Sequence, residues 1–155
     1  FAMDDTPKER GKLLESVLND LFRAYGIQIR ENFVRTPLEG STVLEQIDGV
    51  IGFGGRIHVV EMKWLKYPVG VQDLAPHMVR VMGRADASGI FISSSGFTHP
   101  AITQCAEFLN QRTMLLCSLE EIVMLLQRQG DLVDFLKTKS QAAIINKQPF
   151  LKILN

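Results

Sequence analysis

The sequence has little cysteine and no long apolar run, and each shortage argues against a class of protein. Only two cysteines occur in 155 residues, Cys105 and Cys117, without the CxxC spacing typical of zinc or redox sites. We expect both to be reduced thiols in the core. No segment approaches the roughly 20 apolar residues of a membrane-spanning helix, and the first residues lack a secretory pattern. The sequence therefore predicts a cytoplasmic protein that does not contact a membrane.

Net charge is also lacking, and this limits how the chain binds nucleic acid. Seventeen basic and seventeen acidic residues cancel, whereas proteins that bind nucleic acid over a broad surface carry excess positive charge. Contact with nucleic acid would therefore come from a local patch. Lys63, Lys66 and Arg80 are among the candidates for it, and the alternative for most such residues is ordinary solvated surface charge.

The histidines form no recognisable catalytic or metal-binding pattern. His58, His77 and His99 lack HxxxH or HExxH spacing, so we do not expect a histidine-based metal site or a nucleophilic triad. His58 lies three residues before Glu61, and this odd offset places the two side chains on opposite faces of a strand.

Two runs of strand character, VLEQIDGVIGF and RIHVVEMKWL, are separated by Gly54 and Gly55. A Gly-Gly pair in this context predicts a two-residue hairpin turn, because both glycines readily adopt the positive φ that the turn requires. Such a turn fixes the register by pairing Phe53 with Arg56.

In that register four polar residues share one face of the hairpin. Asp48 lies opposite Glu61, and Gln46 lies opposite Lys63, because paired residues and residues two apart on a strand point to the same side. Two carboxylates whose Cβ atoms are about 5 Å apart repel each other unless a positive charge lies between them. Mg²⁺ (or Mn²⁺) would bind such a pair, and a neighbouring lysine suits phosphodiester hydrolysis.

Asp48, followed thirteen residues later by Glu61-Met62-Lys63 on a hairpin, resembles the D…(D/E)xK signature of the PD-(D/E)xK nuclease superfamily, in particular its Mrr-like restriction endonuclease branch. The resemblance covers most of the chain, since GIFISSSGFTHPA resembles the family's fourth strand and the turn after it. Ile47 stands where the name of the superfamily places a proline.

The resemblance implies roles for further polar residues. Glu15, in the helix GKLLESVLNDLFRAYG, stands where the family often has an acidic residue, and would complete the metal site with Asp48 and Glu61. The alternative for Glu15 is a contact with neighbouring polar groups of its own helix. The predicted catalytic residues are thus Asp48, Glu61, Lys63 and Glu15, and the predicted substrate-binding residues are Gln46, Gln72, Lys66 and Arg80.

The predicted element order is α-β-β-β-α-β-α-β with two further C-terminal helices. It begins with an amphipathic helix over residues 8–25, and Asp73, Thr98 and Ser118 are predicted helix N-caps. This order predicts an α/β domain with a mixed central sheet flanked by helices, as in the restriction-endonuclease-like fold. We expect one nuclease domain over residues 3–140, a helical or linker segment over 141–155, and a cloning scar at residues 1–2.

The predicted function is that of a metal-dependent endonuclease that hydrolyses DNA, with one or two Mg²⁺ ions. A role in restriction or phage defence follows from the resemblance alone. Two alternatives remain open: a nuclease for RNA or branched DNA, and a nuclease-like module without catalysis that serves in oligomerisation or protein binding. The partners considered are DNA, a second copy of the chain, and a separate recognition module that is fused to it or activates it.

Overall fold

The computed structural model describes residues 7–36 and 43–154. Residues 1–6 lie outside these ranges. The turn expected over residues 36–41 also lies outside them, apart from Thr36. The ten elements follow the expected order: α1 (Pro7–Ala24), β1 (Gln28–Thr36), β2 (Val43–Phe53), β3 (Arg56–Leu65), α2 (Val71–Met82), β4 (Ser88–Ser93), α3 (His99–Phe108), β5 (Met114–Ser118), α4 (Leu119–Gln127) and α5 (Leu132–Asn146).

The five strands form one mixed sheet in the order β1-β2-β3-β4-β5. β2 pairs antiparallel with both β1 and β3, whereas β3, β4 and β5 run parallel to one another. Parallel neighbours need crossover connections, and α2 and α3 provide them. The predicted α/β class and mixed sheet are confirmed.

The β2–β3 hairpin has the predicted register. Gly54 and Gly55 both have positive φ, 60° and 75°, and Phe53 pairs with Arg56 across them. Asp48 pairs with Glu61, and Gln46 pairs with Lys63. The four polar side chains are therefore brought to one face of the sheet.

The N-caps of α3 and α4 are the predicted ones, whereas that of α2 is not. The hydroxyl oxygens of Thr98 and Ser118 accept hydrogen bonds from backbone amides of the helices that follow them. The prediction of Asp73 as the cap of α2 is wrong, because α2 begins three residues earlier, after Gly70. Asp73 lies inside the first turn, where its Oδ2 accepts a 2.8 Å hydrogen bond from the Gly70 amide.

The sheet separates two apolar cores. One packs α1, α4 and α5 against one face of the sheet, and the other packs α2 and α3 against the opposite face. Gly49, next to Asp48, points toward the α1 side, where a Cβ would lie 2.6 Å from the Phe33 ring. Asp48 and Glu61 therefore face α2. Cys105 and Cys117 are buried free thiols, as predicted, and burial raises the pKa of each to about 12.

Residues 141–146 complete α5, and the chain that follows contacts β5 through Pro149. The boundary expected at residue 140 falls inside α5, and Ala143 is fully buried in the core. Pro149 O accepts a hydrogen bond from the Leu116 amide of β5, and Lys139 Nζ donates to Leu151 O at 2.8 Å. The C-terminal segment thus covers the edge of the sheet at β5. In the described ranges no helix has the length and apolarity that crossing a membrane requires.

Candidate active site

The centre of the candidate site is the pair formed by Asp48 on β2 and Glu61 on β3. Glu61 is on the central strand and is fully buried, whereas the side chain of Asp48 is 29% exposed. Among the described residues no uncharged group donates a hydrogen bond to the Glu61 carboxylate, and its oxygens lie instead near the positive charges of Lys63 and Arg80. Burial of a carboxylate without hydrogen bonds is costly unless a cation compensates its charge. The site is therefore built to hold positive charge.

Lys63 supplies one such charge from the same strand face. Its Nζ lies 3.6 Å from Oε2 of Glu61 and donates a 3.1 Å hydrogen bond to the backbone oxygen of Asp73. The pKa of Lys63 is lowered, mainly by burial, while the carboxylates of Asp73 and Asp48 act in the opposite direction. The ammonium is thus positioned by two elements, β3 and α2.

Arg80 on α2 supplies a second charge. Its Nη2 contacts Oε1 of Glu61 and lies 3.4 Å from Oδ1 of Asp48. The guanidinium therefore lies against both carboxylates. Arg80 was predicted as a substrate contact, whereas its contact with Asp48 and Glu61 was not predicted.

The other predicted substrate-binding residues differ in their distance from this pair. Gln46 is buried, and its Nε2 donates a 3.2 Å hydrogen bond to Oδ2 of Asp48. Gln72, in the first turn of α2, and Lys66, just after β3, are both exposed. Within the described ranges they form no hydrogen bond or ion pair with Asp48 or Glu61.

The structure does not bring Glu15 into a cluster with Asp48 and Glu61. In the part of the chain that the structure describes, no group of three or more histidine, cysteine, aspartate or glutamate side chains is arranged to hold a metal ion. Oε2 of Glu15 instead accepts a 3.2 Å hydrogen bond from the backbone amide of Arg35 on β1. Its role as an outer metal ligand stays a prediction.

His77 is a site residue that the sequence reasoning missed. It is fully buried, and its Nδ1 lies 3.8 Å from Oε1 of Glu61. Burial, followed by the charge of Lys63, lowers its pKa to about 3, so the ring is neutral beside the carboxylate. Asp73, His77 and Arg80 are four and three residues apart, which places them on one face of a helix. This spacing was the feature of the sequence that could have placed His77 beside Arg80 at the site.

The residues present fit a hard divalent cation. Mg²⁺ is commonly held by one or two carboxylates and completes its coordination with water and substrate phosphate oxygens. Asp48 and Glu61 provide two facing carboxylates, and the buried oxygens of Glu61 already lie against positive charge from Lys63 and Arg80. Asp48 and Glu61 are thus the residues that would hold the ion.

Residues 8–126 match the family model of the Mrr catalytic domain, described as a restriction endonuclease. Among solved structures, the chain is similar to the MspJI restriction endonuclease in complex with a 27-mer oligonucleotide, with 16% sequence identity and a TM-score of 0.43. That similarity covers 88% of this chain but only 31% of the other, and it is too weak to support a structural or functional argument. No curated protein shows significant similarity to the chain.

Proposed function

The chain belongs to the Mrr catalytic-domain family of restriction endonucleases, and we propose that it is a metal-dependent endonuclease that hydrolyses phosphodiester bonds in DNA. The observation that carries the proposal is the buried Glu61 carboxylate, which faces Asp48 across the hairpin with Lys63 beside it. Two facing carboxylates can hold a divalent cation, and a lysine beside them suits metal-assisted hydrolysis of a phosphodiester. The family match supplies the reaction class.

Each of the central residues has a separate task in this proposal. Asp48 and Glu61 hold one or two Mg²⁺ (or Mn²⁺) ions, and Gln46 orients Asp48 through its 3.2 Å hydrogen bond. When bound, the cation supplies positive charge that activates water and neutralises the phosphate. Lys63, fastened through Asp73 O, holds the attacking water or stabilises the negative charge that develops on the phosphate in the transition state.

DNA is proposed to lie across the carboxylate face of the hairpin. Lys66 and Gln72 are exposed near this face, at the end of β3 and the start of α2, and are proposed substrate contacts with Gln46 and Arg80. Contacts of this kind to phosphates fix position without reading sequence.

The family membership also supports a biological role in restriction or phage defence. We also propose that a separate module, fused or acting in trans, recognises the DNA. We also propose a homodimer. Two copies, each with one active site, would cleave both strands of a DNA duplex.

The test is a cleavage assay on plasmid, linear duplex, branched DNA and RNA with Mg²⁺ or Mn²⁺, and with chelator. Asp48→Asn and Glu61→Gln keep the size of each side chain, and we expect each to lower the cleavage rate roughly a hundredfold or more. Glu120→Gln, which changes an exposed carboxylate on α4, is the matched control and should cleave like the wild type. Metal-dependent cleavage that persists in the Asp48 and Glu61 variants would refute the assignment.

A further inference from the structure

The guanidinium of Arg80 contacts the same carboxylates that are proposed to hold the metal. It touches Oε1 of Glu61 and lies 3.4 Å from Oδ1 of Asp48. A divalent cation bridging the two side chains would need oxygens that the guanidinium already contacts. Two positive groups at one pair of carboxylates also repel each other. Arginine and metal are therefore competitors for this position.

We propose that Arg80 is a built-in counter-ion of the metal site, which must leave Asp48 and Glu61 before a divalent cation binds, and which then contacts a phosphate of the substrate. This inference rests on the proposed function, and it deepens that function by assigning an order to the events at the site. It also gives the predicted substrate contact of Arg80 a defined partner, a phosphate oxygen.

Arg80, rather than Lys63, is the cation that is free to leave. The Lys63 side chain is only 8% exposed, and its ammonium is fastened to the backbone oxygen of Asp73. The Arg80 side chain is 40% exposed and extends from the last turn of α2. A long exposed side chain can change rotamer without disturbing the core. Lys63 therefore remains at Glu61 while the guanidinium moves.

A phosphate diester is a suitable second partner for the displaced guanidinium. The planar fork of arginine donors matches phosphate oxygens and binds them in a bidentate manner. If DNA draws Arg80 away from the carboxylates, DNA strengthens metal binding, and by thermodynamic reciprocity the metal strengthens DNA binding. The arginine thereby couples metal loading to the presence of substrate.

The experiment measures Mg²⁺ and Mn²⁺ affinity by calorimetry in the absence of nucleic acid. We expect Arg80→Gln to bind the cations about tenfold more tightly than the wild type, because the competing charge is removed. Arg84→Gln is the matched control, because Arg84 lies four residues further along the chain, just beyond α2, and pairs with Glu31 at 3.0 Å. The substitution changes the net charge equally. Arg80→Lys keeps the charge but loses the arginine fork, and its affinity should be intermediate.

An Arg80→Gln affinity equal to or weaker than that of Arg84→Gln would overturn the inference. If the wild type still shows metal-dependent cleavage, the proposed nuclease function stands although the inference about Arg80 fails. If neither the wild type nor any of the three variants binds metal, both the proposed function and the inference about Arg80 are overturned. Circular dichroism of each variant confirms that folding is unchanged.

The phosphate contact is tested separately with Ca²⁺, which also prefers oxygen ligands, and a duplex oligonucleotide shown by gel to remain intact. Addition of the duplex should raise the Ca²⁺ affinity of the wild type more than that of Arg80→Gln. An equal increase in the two proteins would overturn the proposed transfer of Arg80 to a phosphate.

Discussion

Nζ of Lys63 donates a hydrogen bond to the backbone oxygen of Asp73, 3.1 Å away, and this bond ties the central strand of the sheet to the first turn of α2. It also holds the ammonium 3.6 Å from Oε2 of Glu61. A lysine side chain has four rotatable carbon–carbon bonds and is seldom fixed without such a partner. The bond therefore gives Lys63 a single position relative to the carboxylates.

We expect Lys63→Met to lower the DNA cleavage rate roughly a hundredfold or more without weakening Mg²⁺ binding, because Lys63 assists the reaction and its positive charge does not help to hold the metal. Methionine preserves most of the volume of the buried side chain. Lys137→Met, at an exposed lysine on α5, is the matched control and should change the rate little. Unchanged cleavage by Lys63→Met would remove the lysine from the mechanism.

Glu15→Gln separates the two roles of Glu15. The glutamine oxygen can still accept the hydrogen bond from the Arg35 amide, so the fold should be retained. We expect a smaller loss of Mg²⁺ affinity than from Glu61→Gln, because Glu15 does not join a cluster with Asp48 and Glu61 in the described ranges. Calorimetric titration of the two variants decides this. An equal loss in both would establish Glu15 as a direct ligand.

The hairpin half of the site was predictable from the sequence because its geometry is local. The turn at Gly54 and Gly55 and the two-residue period of strands together determine that Asp48 faces Glu61. The predicted pairing was therefore confirmed residue by residue. No contact distant in the sequence was needed to derive it.

The contribution of α2 could not be predicted in the same way. His77 and Arg80 reach Glu61 only because of the rotation and depth at which α2 packs on the sheet. That packing depends on close contacts such as the one at Gly89, where a Cβ would lie 3.0 Å from Nε2 of His77. The local sequence predicts which residues share a helix face, but not which strand residue they meet. The position of Glu15 relative to the carboxylates depends on the packing of α1 in the same manner.

The burial of His77 should make the protein sensitive to acid. Its folded-state pKa of about 3 lies below the unfolded value of 6.5, so the unfolded chain takes up a proton that the folded chain excludes. This group therefore lowers stability as the pH falls from about 6.5 toward 3. Between pH 7 and pH 4.5 we expect the free energy of unfolding of the wild type to fall by about 2 kcal/mol more than that of His77→Leu. Urea unfolding of both proteins at the two pH values measures this difference, and equal losses would contradict it.

A second buried charge pair holds the C-terminal segment, and its loss should destabilise the fold without involving the active site. Nζ of Lys139 lies 2.8 Å from Oε2 of Glu121, with both side chains fully buried. The same Glu121 oxygen accepts a 2.7 Å hydrogen bond from the Ile153 amide, and Lys139 also donates to Leu151 O. The pair thus fastens residues 151–153 to α4 and α5.

We expect Lys139→Met to lower the free energy of unfolding by about 3–5 kcal/mol, because Glu121 is then buried without a compensating charge. Lys137→Met, an exposed lysine on the same helix, is the matched control and should cost far less. The double variant Glu121→Gln with Lys139→Met removes both charges and should recover part of the loss, since an unpaired buried charge costs more than a neutral pair. Urea unfolding of the four proteins measures this. The opposite result would be a double variant that is less stable than Lys139→Met. That result would show that the pair stabilises the fold mainly through the hydrogen bonds of Glu121 to the C-terminal segment, and not through charge compensation.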